Sequence, residues 1–114
     1  MEKTRNPEHK SVKAVVHDPG KDFAPGGTTA FTVPSIHVTH FTRLRITGIS
    51  LPNGNPFAVL ATVRAPGNDN PGFSDSFALT VNEIHPDSLT VKIWRVDSSD
   101  NPSAPIRIDF FVVL

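Results

Sequence analysis

Two runs near the end of the chain constrain its fold more than any other feature. Leu89, Val91 and Ile93 alternate with Thr90, Lys92 and Trp94. Further on, Ile106, Ile108, Phe110 and Val112 alternate with Arg107, Asp109, Phe111 and Val113. A period of two is the period of a β-strand, whose successive side chains point to opposite faces, so each run predicts a strand with one face on a core. The Ser/Asp/Asn/Pro segment between them, residues 98–105, predicts a turn that closes the two into a ribbon. The chain ends on Leu114 without a polar tail, which predicts a C-terminus within or at the edge of packed structure. The second face of the ribbon is not uniformly polar: it carries Trp94, Phe111 and Val113, which a small monomer would leave in water. These three residues are the expected interface of a protomer that packs against copies of itself or against a partner.

The rest of the chain repeats the pattern in shorter pieces. Eleven prolines and seven glycines are spread as punctuation, and no segment of ten or more residues has a capped 3.6-residue period. Strands are expected over 12–17, 28–40, 41–49 and 57–64, around Phe77, Leu79 and Val81, over 89–97 and over 106–114. Residues 82–87 are expected to turn the chain into the 89–97 strand. Pro34 cannot donate a ladder hydrogen bond, which predicts an edge or a bulge there. The fold class is therefore all-β, an antiparallel β-sandwich of about six or seven strands. Residues 28–114 form the sandwich domain. Residues 1–27, polar and poor in core-grade side chains, are expected to be an extended N-terminal arm that lies on a neighbour. Residues 65–72, rich in Pro, Gly, Asn and Asp, are long and polar enough for a functional loop.

Charge removes several functions. Eleven basic and eleven acidic side chains cancel, which leaves no basic footprint for nucleic acid or for an anionic membrane. Low charge with zero net charge favours association. Cysteine is absent, no apolar stretch follows the charged N-terminus and no run is long enough to span a bilayer. The expectation is a protein without signal peptide or transmembrane segment, in a host cytoplasm or in a particle released from it.

Candidate chemistry is sparse. His37 and His40 are three apart, a spacing that points them to opposite faces of a regular strand, while His9, His17 and His85 lie in or beside loops, so no metal site is expected. Ser74 and Ser76 flank Asp75, and Ser98 and Ser99 precede Asp100, but neither cluster is a nucleophile elbow and both read as turns. Gly26 and Gly27 lead into a strand pattern rather than the helix that a phosphate loop needs. No catalytic residue and no cofactor is expected, and the chain is read as a non-enzyme. The outward row of Arg43, Arg45, Lys92 and Arg107, with Asp109, has two readings. One is cross-strand charge pairing. The other is a ligand face in which Arg43, Arg45 and Arg107 fork onto hydroxyls or carboxylates and Trp94 stacks.

Phe77, Leu79, Val81 and Ile84, then the runs 89–97 and 106–110, resemble the C-terminal half of H-type lectin domains over about forty residues. The resemblance implies a six-stranded sandwich, a trimer and binding of sugars such as N-acetylgalactosamine between protomers. No sugar-contacting residue of that family maps onto the N-terminal half. The chain is also similar to small sandwich proteins of bacteriophage particles, which implies a capsid decoration or tail component. The leading expectation is thus a structural virion protein that forms a homo-oligomer within a larger assembly. The alternative is a lectin-like module with a glycan as its partner.

Overall fold

The computed structural model describes residues 8–17, 27–51, 56, 58–65, 75–102 and 104–114. Among them every regular element is a strand: β1 Glu8–Lys13, β2 Val15–Val16, β3 Thr28–Ile36, β4 Phe41–Thr47, β5 Ala58–Arg64, β6 Phe77–His85, β7 Ser88–Arg95 and β8 Ile106–Val113. They form two four-stranded sheets, β1-β4-β7-β6 and β2-β3-β8-β5, which face one another as a β-sandwich. No helix among the described residues is long and apolar enough to cross a membrane.

The alternation seen in the sequence sets the inner faces. Leu44 and Ile46 of β4 and Leu89, Val91 and Ile93 of β7 cover one side of the core, all fully buried. Phe31 and Val33 of β3 and Ile106, Ile108, Phe110 and Val112 of β8 cover the other. Phe31 and Phe110 are cross-strand partners and stack with ring centroids 4.9 Å apart. Pro34 lies where the β3–β8 register shifts between Val33 and Ile36, the irregularity that its missing N–H requires.

Three expectations are corrected. First, the runs at 89–97 and 106–114 form no ribbon: β7 lies in the first sheet between β4 and β6, and β8 in the second between β3 and β5. The segment between them carries the chain across the sandwich. Its start is tied down by Arg95, which bridges Asp75 at 2.9 Å and Asp97 at 3.0 Å, and by Asn101, whose Oδ1 accepts the His40 N–H at 2.7 Å. Second, residues 8–17 are built into the sandwich. β1 pairs with β4, β2 with β3, and buried Ala14 between them donates its N–H to the Thr47 carbonyl at 2.9 Å. The remaining residues of the expected arm, 1–7 and 18–26, lie outside the described residues. The β1–β4 pairing is parallel, so the sandwich is not purely antiparallel. Third, β6 continues through residues expected to turn, absorbing one extra residue between Val81 and Glu83 and reaching His85.

Gly48, the residue after β4, has φ 80°. A Cβ there would meet the Lys13 Cγ at 2.8 Å. Left-handed backbone and a blocked side chain act together, so Gly48→Ala is expected to lower stability by about 1–2 kcal/mol, read as a shift in the urea midpoint.

Candidate functional site

The two outer faces of the sandwich differ in chemistry. Across the second sheet, register aligns Thr28, Val113 and Ala58 in one row and Ala30, Phe111 and Leu60 in the next. Val15 stands beside Thr32 at the β2 edge. Val15, Leu60 and Phe111 are three of the four large exposed apolar side chains among the described residues, at 53%, 57% and 45% exposure. The fourth, Val96, follows β7. This sheet thus presents an apolar surface where a sandwich ordinarily places polar residues.

Beside the apolar rows lies a polar chain that spans the same sheet. Thr32 donates its hydroxyl to Asp109 Oδ1 at 2.9 Å, and His17 Nε2 lies 2.7 Å from the same hydroxyl oxygen. With the Thr32 proton committed to Asp109, the imidazole nitrogen must donate, which fixes the tautomer. Arg64 and Arg107 complete the chain with Nε donors to Asp109 at 2.8 and 2.9 Å. Burial disfavours the Asp109 carboxylate, but the hydrogen bonds from Arg64, Arg107 and Thr32 outweigh it and hold the group down at about 2. The folded value lies below the ordinary aspartate value of about 3.9, so the stabilisation is fully present above pH ~4 and is lost as pH falls towards 2. Asp109→Asn is expected to cost about 1 kcal/mol at neutral pH, a magnitude reduced by solvent screening, and to match the parent below pH ~2. Urea unfolding across pH 2–7 reads the convergence.

The outer face of the first sheet is basic and aromatic. Its rows run Ala78–Trp94–Phe41, then Thr80–Lys92–Arg43–His9, then Glu83–Thr90–Arg45–Ser11, and finally His85–Ser88–Thr47–Lys13. Phe41 and Trp94 meet edge to face with centroids 5.9 Å apart. His40, Phe41, Lys92 and Trp94 wall a concavity of about 320 Å³. A second, of about 250 Å³, is walled by His9, Lys10, Ser11, Arg43, Arg45 and Thr90. Arg43 pairs with Glu83 across β7.

The sequence-derived sites are therefore divided. Trp94 lies half-buried on the first sheet, and Phe111 and Val113 lie on the opposite side of the molecule, so the three do not form one interface. Arg43, Arg45 and Trp94 do share a face, with Lys92, whereas Arg107 belongs to the Asp109 cluster on the other sheet. Strand parity alone cannot separate them, because it records which side of its own sheet a residue takes and not which sheet. Leu60, Val15 and Phe41 were missed. Leu60 had a signal, since it opposes the inward Val59, Ala61 and Val63 in phase; Val15, on a two-residue strand, had none. The loop expected at 65–72 lies, beyond Ala65, outside the described residues. Among the described residues no three His, Asp or Glu side chains gather where they could hold a metal ion.

The chain matches no known family model, no curated protein and no solved structure with which it was compared.

Proposed function

We propose that this chain is a non-enzymatic structural subunit that assembles through the outer face of its second sheet, as a homo-oligomer and as part of a larger protein particle such as a bacteriophage virion. One observation carries the reading: Leu60 and Phe111, with the partly exposed Ala30, Ala58 and Val113, make an apolar patch on the outer face of the second sheet, and Val15 adds an exposed apolar side chain at its β2 edge. Burying such a face removes apolar area worth about 25 cal/mol per Å² from water. Zero net charge adds no long-range repulsion between copies. The Arg64–Asp109–Arg107 cluster is internally paired, so it can sit at the rim without leaving a charge unpartnered. Light scattering across a concentration series tests it. A mass of two or more chains is expected, three being the number that the lectin resemblance implies. A monomer that also fails to associate with any particle would overturn the proposal.

A second reading is a carbohydrate-binding module, supported by the Phe41–Trp94 pair at the open concavity shared with Lys92 and His40. Saturable change of Trp94 fluorescence with a simple neutral sugar is its expected signature. No response would remove it.

A further inference from the structure

We infer that the concavity on the outer face over β1, β4 and β7 is a binding site for a tetrahedral oxyanion, the sulfate or phosphate group of a ligand, with the Arg45 guanidinium as its main anchor. The inference rests on how the arginines are used. Arg43, Arg64, Arg95 and Arg107 each hold a carboxylate. The side chain of Arg45, on the same strand as Arg43 and exposed, has no ion pair or hydrogen bond with any described residue. Its guanidinium is a planar fork of five donors suited to two-point capture of an oxyanion.

The surroundings fit the same ligand. Ser11 and Thr90 flank Arg45 on the two neighbouring strands, and with His9 they place hydroxyl and imidazole donors around a concavity of about 250 Å³. Lys10 and Arg43 add positive charge, and among the described residues no carboxylate lines the wall. Among the described residues of the four outer rows, Lys13, Arg43, Arg45 and Lys92 stand against a single carboxylate, Glu83, which Arg43 already holds. Arg43 and Lys92 are direct cross-strand partners, so Lys92 adds a further cation next to the concavity.

The site is independent of assembly through the second sheet, on the other side of the molecule. Inorganic sulfate and inorganic phosphate are titrated into the full chain at constant ionic strength held with chloride, with binding read from backbone amide shifts of Ser11, Arg45 and Thr90. Saturable shifts are expected, with Arg45→Ala weakening binding at least tenfold, Arg45→Lys by less, and Arg107→Ala on the other sheet not at all. Mass in solution should stay the same in Arg45→Ala and Arg45→Lys, which leave the second sheet untouched. A sulfated oligosaccharide in a parallel titration separates the sources: quenching of Trp94, the only tryptophan, in addition to the Arg45 shifts marks an ester on a saccharide reaching along β4. Arg45 shifts without quenching mark the free ion. Shifts that follow ionic strength alone, or an equal loss in Arg107→Ala, would overturn the site.

Discussion

Replacing Phe110 by alanine is expected to lower the free energy of unfolding by about 3–5 kcal/mol. Phe110 is 2% exposed and sits on the central strand pair of the second sheet, where its partners are Phe31 on β3 and Ala61 on β5. Its ring stacks on Phe31 with an interplanar angle of 18°, so truncation removes both the buried area and the aromatic contact. Ala61, the partner on the other side, is too small to fill the space, and β8 is held in ladders on both edges and cannot collapse inward. Domains of this size have about 5–15 kcal/mol in total, so the variant should lie near its unfolding threshold at 37 °C. Urea denaturation followed by circular dichroism measures it. A loss below about 1 kcal/mol would contradict the placement of the core.

Introducing aspartate at Leu60 and Phe111 together is expected to convert the assembled protein to monomers while leaving the protomer folded. The two residues are direct cross-strand partners in the middle of the apolar rows, so the double variant places two like charges in the contact. Burying an unpaired carboxylate costs several kcal/mol, more than a contact of this kind can absorb. Both side chains are about half exposed in the protomer, so its own core is untouched. Trp94→Ala, on the opposite sheet, should keep the parent mass. Sedimentation velocity resolves the species. An assembly that survives the double substitution would move the contact off this sheet.

Those two experiments probe opposite sides of strand β8, and both sides were readable beforehand. Alternation in 106–114 separates Phe110 from Phe111 without any knowledge of the fold, because an extended backbone sends neighbours to opposite faces. The same reasoning places Leu44 and Ile46 inside and Arg43 and Arg45 outside, and it explains the irregularity at Pro34. A strand is expected over 12–17, but the polar composition of residues 8–17 conceals the start of β1 and the division of the segment between the two sheets. Ser11, Lys13 and Val15 are exposed, and only Ala14 is fully buried, so the segment is held by ladders to β4 and β3 rather than by an apolar stripe. Removing residues 1–27 would therefore strip a strand from each sheet, and it is not a test of an arm alone.

By itself the sequence determined that the chain is all-β, where its main strands run and which side of each faces the core, since these are properties of a backbone with a two-residue period. Only the tertiary structure decided that β7 and β8 enter different sheets, that Trp94 and Phe111 point away from each other, and that Arg45 stands among hydroxyls while Arg107 is held by Asp109. Which strands pair is settled by contacts between segments far apart in the chain, and a local pattern carries no record of them.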